Sequence, residues 1–207
     1  MLSPVRGRFA KPPIIAASVL FAAVPFNTMN PFAINAKADP AGPPRRPSAR
    51  FMWAHPAHCI ALGFGSGLSP LAPGTAGTLW AWLAFLVMTP WFTALQMGLL
   101  IAVCLVVGVW ACAVTARNMG VADPGSIVWD EVAAFWLILW LITPAGFWGQ
   151  LAAFVLFRFF DAVKFGPTAW ADRSFKGFGW RGGFGIMLDD LAAAFCTLLV
   201  IAVWRFW

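Results

Sequence analysis

The chain has 207 residues, of which 61% are hydrophobic, 16% aromatic and only 11% charged. Soluble domains carry about 25% charged residues, so this composition indicates a membrane protein. The formal net charge of +6 would by itself suit a nucleic-acid binder, but the basic residues are few and separated by long apolar runs, which excludes a basic groove.

Residues 1–50 differ in kind from the rest. Arg6, Arg8 and Lys11 precede an apolar run from Ile14 to Phe26, and a Pro-rich stretch follows from Ala38. The pattern resembles a secretory signal, with small residues at Ala36 and Ala38 around Lys37. At 1.5 Å per residue such a run reaches roughly 20 Å, short of a hydrocarbon core of about 30 Å. Residues 1–50 are therefore read as a basic, Pro-rich extension that is expected to be disordered. Residues 51–207 form the membrane-embedded domain. The whole charge excess belongs to the extension, because residues 51–207 contain seven basic and seven acidic residues.

An all-α, polytopic helical bundle is expected in that domain, with about five spans at 76–91, 94–115, 128–143, 147–164 and 186–206. Pro90 and Pro144 mark the tight connections. The preceding stretch 61–77, LGFGSGLSPLAPGTAGT, is too rich in Gly and Pro for a regular helix and is expected to be a re-entrant or interfacial loop. The four cysteines form no C-x-x-C pair and read as packing residues. Most of the 13 Trp residues stand at the ends of apolar runs, where headgroup-level positions are expected for Trp80, Trp82, Trp91, Trp129, Trp148, Trp204 and Trp207. His55 and His58 precede the membrane core and are expected in solvent or at the interface.

The connections around Pro90 and over 143–150 carry no charge, whereas Arg117, Lys164, Arg173, Lys176 and Arg181 lie on the opposite side. The positive-inside rule makes that basic side cytoplasmic. A cleaved signal, or a span at 14–26, would place Arg45, Arg46 and Arg50 outside, which argues against both.

Six of the eight acids fall on the same side. Asp130 and Glu131 begin the third expected span, Asp161 ends the fourth, Asp189 and Asp190 begin the fifth, and Asp172 lies in a loop. A charge at a helix centre costs about 2.5–3.5 kcal/mol on insertion scales, so acids within apolar runs should face a cavity or a partner. Several facing carboxylates need a cation, and hard oxygen ligands favour Mg²⁺ together with substrate phosphate oxygens. The plainer alternative is helix-dipole stabilisation and interfacial ion pairing, which suffices for Asp123. Arg158, Asp161 and Lys164 recur every three residues near one helix face. Arg158 can serve either as a structural partner of a carboxylate or as a phosphate ligand. Gly74 and Gly77 suit close helix packing, while Ser66, Ser69 and Thr75 are candidates for a headgroup pocket. Metal-assisted attack of water is the simplest chemistry for this set.

Five segments in order, GFGSGLSPLAPGTAGTLWA (63–81), GSIVWDE (125–131), FRFFDAVK (157–164), ADR (171–173) and GGFGIMLDD (182–190), resemble those of the phosphatidylglycerophosphatase A family. The resemblance covers about residues 61–205 and departs at Lys164-Phe165-Gly166-Pro167 and in a longer loop carrying SFKGFGWR. It implies a Mg²⁺-dependent lipid phosphatase of the bacterial inner membrane, converting phosphatidylglycerophosphate to phosphatidylglycerol, with its active site on the cytoplasmic side. The partner is then a phospholipid in the bilayer, with no nucleic acid. Asp130, Glu131, Asp161, Asp189 and Asp190 become the expected catalytic set, with Asp130, Glu131, Asp189 and Asp190 on the metal. Arg158, Lys164, Asp172, Arg173, Ser66, Ser69 and Thr75 become the expected substrate-binding set. The rival reading from another class is a cation-coupled transporter or channel, which would spread its acids through the membrane depth.

Overall fold

A computed structural model describes residues 46–163 and 177–206. Among the described residues the chain is entirely helical. Two short helices, α1 (Ala49–Trp53) and α2 (Pro56–Ala61), lead through a 3-10 segment (Gly63–Leu68) into α3 (Pro73–Met88) and α4 (Ala94–Met119). Then follow α5 (Trp129–Ile142), α6 (Phe147–Val163) and a long α7 (Trp180–Phe206).

The local signals are conventional. Thr93 and Gln96 form a reciprocal capping box at the start of α4. At its end Gly120 takes a left-handed φ of 69°, and the Gly120 and Val121 amides donate back to the Arg117 and Ala116 carbonyls, closing the helix as a Schellman motif. The connections carrying Pro90 and Pro144 fall between α3 and α4 and between α5 and α6, where they are expected. Both α4 and α7 are long and apolar enough to cross a membrane, and only a third of each apolar window is buried within the protein. On α4 the exposed residues Leu95, Leu99, Val103 and Val106 follow helical spacing, an apolar outward stripe of the kind that lipid rather than water would cover.

α5 is the central helix. Val132, Ala133, Ala134, Phe135, Ile138 and Leu139 are essentially inaccessible, and α3, α4, α6 and α7 all pack on it. Its indoles are tied into the neighbours. Trp129 donates to the Cys104 carbonyl at 3.1 Å, Trp136 to Ala81 at 2.8 Å and Trp140 to Ala94 at 2.9 Å. This corrects the headgroup expectation for Trp129, which is buried because its N–H has a backbone acceptor inside the bundle. Trp82 likewise bonds Gln150 at 2.6 Å. Trp91, Trp148 and Trp204 are exposed, and Trp207 lies outside the described residues.

Three further expectations change. The helix expected from residue 76 begins at Pro73, so only the first part of the Gly/Pro stretch is irregular, with Phe64 and Gly65 at positive φ. The helix expected from residue 186 begins at Trp180. A Cβ on Gly183, within the added first turn, would run into the Val109 carbonyl and sit 2.7 Å from Ala113 Cβ. The glycine lets α7 lie close on α4. His58 is 2% exposed rather than interfacial. Its ring stacks on Phe51, Nδ1 lies 3.0 Å from the Phe51 carbonyl and Nε2 lies 2.9 Å from the Asn118 amide nitrogen. A neutral ring satisfies both contacts, with Nδ1–H donating and Nε2 accepting.

Ahead of residue 50, Ser48 caps α1 and Arg46 donates to the Pro70 carbonyl. The apolar run 14–26 lies outside the described residues.

Candidate active site

One cavity of about 390 Å³ gathers the carboxylates. It is lined by Asp123 and Gly125 from the α4–α5 connection, Asp130 and Glu131 from the first turn of α5, Asp161 from the last turn of α6, and Asp189 and Asp190 from α7. The five acids expected to be catalytic therefore meet, although they come from three helices. Asp189 and Asp190 reach it from the third turn of α7 rather than its first, because that helix starts six residues earlier than expected.

Asp190 is 3% exposed and Glu131 is 9% exposed. Oδ1 of Asp130, Oε2 of Glu131 and Oδ2 of Asp190 are buried and meet no hydrogen-bond donor among the described residues. A buried carboxylate oxygen without a donor is costly, and several such oxygens around one cavity form a site suited to a cation. Among the described residues no three His, Cys, Asp or Glu side chains form a ready-made metal cage. A hydrated Mg²⁺ does not need one, since it keeps several waters and takes one or two carboxylates plus phosphate oxygens. The donor chemistry fits that ion.

Arg158 pairs with two of the site carboxylates. Its Nη1 donates to Glu131 Oε1 at 2.9 Å and lies 2.7 Å from Asp161 Oδ2. It is thus the partner of two site carboxylates and is not among the residues lining the cavity.

The expected headgroup residues are not gathered with the acids. Ser66 Oγ donates to the Gly63 carbonyl at 2.9 Å and Ser69 Oγ to Leu71 at 2.7 Å, and neither they nor Thr75 line this cavity. Short hydroxyl side chains in a Gly-rich turn satisfy nearby carbonyls first. Lys164, Asp172 and Arg173 lie outside the described residues. Asp123 is the acid that sequence reasoning missed. Its loop position suggested a helix-end role, yet Val121, Ala122, Asp123 and Gly125 line the cavity; the Asp-Pro-Gly run gave a turn signal but no direction.

The Gly/Pro stretch meets the site from behind. The Val128 amide donates to the Ala61 carbonyl at 2.9 Å, and Gly77 approaches Val128, where a Cβ would stand 2.7 Å from Val128 Cβ. The segment feeding α5 is thereby fixed just before its two acids.

Comparisons with known proteins identify relatives of the chain. The chain is 43% identical to phosphatidylglycerophosphatase A of Escherichia coli (strain K12) over 148 residues, 70% of this chain and 81% of that protein. It is 36% identical to phosphatidylglycerophosphatase A of Haemophilus influenzae over 161 residues, 78% of this chain and 96% of that protein. No solved structure matches. Residues 59–205, which include every acid of the cavity, match the sequence profile of phosphatidylglycerophosphatase A, and the chain belongs to that family.

Proposed function

We propose that this protein is a phosphoric monoester hydrolase acting on a lipid, cleaving phosphatidylglycerophosphate to phosphatidylglycerol and inorganic phosphate. The observation that carries the reading is the convergence of Asp130, Glu131, Asp161, Asp189 and Asp190 on one cavity in a chain of this family.

Asp130, Glu131, Asp189 and Asp190 would hold Mg²⁺, which when bound offsets phosphate charge and lowers the pKa of a bound water. Asp161 is assigned the proton of the attacking water, since it lines the cavity and is held by Arg158 from its own helix. Arg158 balances Glu131 and Asp161 and keeps their carboxylates in fixed directions. Arg173 and Lys164 are assigned to the phosphate, and Asp172 to the same loop. Ser66, Ser69 and Thr75 remain assigned to the glycerol side of the headgroup, outside the acid cavity.

The five helices α3 to α7 are read as five spans in a bacterial inner membrane, with the cavity at the cytoplasmic end. The uncharged turns at 89–93 and 143–146, set against Arg117 and Arg181 at the other end, support that orientation. At 1.5 Å per residue α3, α5 and α6 cover only about 21–26 Å, a mismatch that bilayers accommodate by thinning. The Gly/Pro stretch is read as the interfacial segment by which the headgroup enters.

The test is phosphate release by purified protein from phosphatidylglycerophosphate in mixed micelles across a Mg²⁺ titration. Release that depends on Mg²⁺ and is lost in Asp161→Asn supports the assignment. Absence of release from this lipid at any Mg²⁺ concentration overturns it.

A further inference from the structure

Gly74 stands in the first turn of α3 with no left-handed backbone angle, so its conformation does not require glycine. Helix propensity alone would favour alanine there. What excludes a side chain is Glu131. A Cβ on Gly74 would overlap Glu131 Oε1 and lie 2.8 Å from its Cδ and 3.1 Å from Arg158 Nη2. Oε1 is also the oxygen that accepts from Arg158 at 2.9 Å. On the other side of the carboxylate, a Cβ at Gly77 would meet Val128 first and stand 3.4 Å from Oε2, an ordinary contact. The Glu131 carboxylate is thus seated on Gly74 and clamped by a guanidinium that also holds Asp161.

We propose that Gly74 is a positioning residue of the hydrolytic site, its missing side chain forming the seat that sets the Glu131 carboxylate and, through Arg158, the direction of Asp161. This rests on the phosphatase reading above and extends it to a residue that carries no chemistry. It also gives the Gly/Pro segment a role different from lining a headgroup pocket: Gly74 sits against Glu131, which lines the acid cavity.

The experiment is a double-mutant cycle in the full-length protein, combining Gly74→Ala with Glu131→Asp. The shorter aspartate withdraws the carboxylate by one methylene and vacates the space an alanine methyl needs. Gly74→Ala alone is expected to lower kcat about a hundredfold, as a displacement of ~1 Å in a site can, with KM changed by less than about twofold. In the Glu131→Asp background the same substitution should cost about tenfold less, because the two residues share a contact and their effects do not combine independently. Gly149→Ala, whose Cβ would meet only Ala145 Cβ at 3.3 Å, is the control and should leave kcat unchanged.

Thermal melts of the four proteins of the cycle read the same collision without reference to catalysis, with Gly74→Ala lowering Tm more beside Glu131 than beside Asp at that position. An inactive wild type would therefore refute the phosphatase reading, while the melting cycle would still decide the seat. Full activity of Gly74→Ala, or losses that multiply without coupling in kcat and add in Tm, would overturn the proposal. If Gly74→Ala does not accumulate as folded protein, accumulation of the Gly74→Ala/Glu131→Asp variant supports the seat, and equal failure of both refutes it.

Discussion

Asp190→Asn should make the metal-free protein more stable and inactive at once. Asp190 is 3% exposed, its Oδ2 meets no donor among the described residues, and Asp130, Glu131, Asp161 and Asp189 share its cavity. Two carboxylates about 5 Å apart repel by roughly 3 kcal/mol at an effective dielectric constant of ~20. A buried acid can relieve part of this by binding a proton, so the part recoverable by an uncharged amide of the same shape is smaller, about 1–2 kcal/mol. For a chain of this size that corresponds to a rise in Tm of roughly 3–6 °C in EDTA. With Mg²⁺ the order should reverse. Wild type gains about 2.7 kcal/mol at a hundred times its Kd for the ion, whereas the variant, lacking a ligand, gains little, and phosphate release falls by about 10²–10³-fold. Melting curves with EDTA and along a Mg²⁺ series, beside steady-state phosphate release, measure all of this. A variant less stable than wild type in EDTA would refute the reasoning, because it would mean that the Asp190 charge is already compensated within the protein.

Other predictions follow from single contacts. Burial holds the His58 imidazole below its usual value of 6.5, with His55 adding to it and the bond to the Phe51 carbonyl opposing it. A group whose folded pKa is depressed in this way contributes full stability above its unfolded value and loses it as pH falls. Tm should therefore decline as pH drops below about 6.5, and the decline should flatten in His58→Gln. Gly183→Val, which forces a side chain between α7 and the Val109–Ala113 turn of α4, should cost about 1–3 kcal/mol, read as a lower Tm in detergent. Asp123→Asn removes a carboxylate from the cavity lining and should shift the Mg²⁺ concentration for half-maximal activity upward by about tenfold; an unchanged titration would place Asp123 outside the site.

The sequence was most legible where one physical rule dominated. Apolar runs bounded by Pro90 and Pro144 placed α3 to α6 closely, because a membrane environment leaves few alternatives to a helix. The acid set was legible for a related reason, since charge inside an apolar run demands a cavity or partner. The rules failed where one residue type has two uses. A Gly- and Pro-rich composition marks 61–77 as irregular, while the fold carries Pro73 to Gly77 inside α3 and uses Gly74 and Gly183 for close approach, so both α3 and α7 begin earlier than composition suggests. Tryptophan at 129 reads as an interfacial anchor until the Cys104 carbonyl is seen to accept from it. His58 and Asp123 depend on partners distant along the chain, Asn118 for the first and the α7 acids for the second; no local spacing could reveal either.

A site that crowds acids destabilises its own scaffold, and the way this fold resists the crowding concerns α5. That helix carries Asp130 and Glu131 at its first turn, where repulsion from α6 and α7 would tend to push it outward or rotate it. Its register is held by indole bonds at Trp129, Trp136 and Trp140, spaced along its length and directed alternately to α4, α3 and α4. The Trp136 bond is buried, so breaking it leaves an unpaired donor and costs about 1–3 kcal/mol. Rotating α5 by even part of a turn would break all three together. The close approach of Gly74 then limits the remaining inward movement of Glu131, and Arg158 opposes its withdrawal. The acids can therefore stay close without relaxing apart, as the proposed binding of a cation and a phosphate would require. On this view the unusual tryptophan content of the chain serves the chemistry as well as the membrane, because the same side chains that suit an apolar environment lock the orientation of the helix from which the site is built.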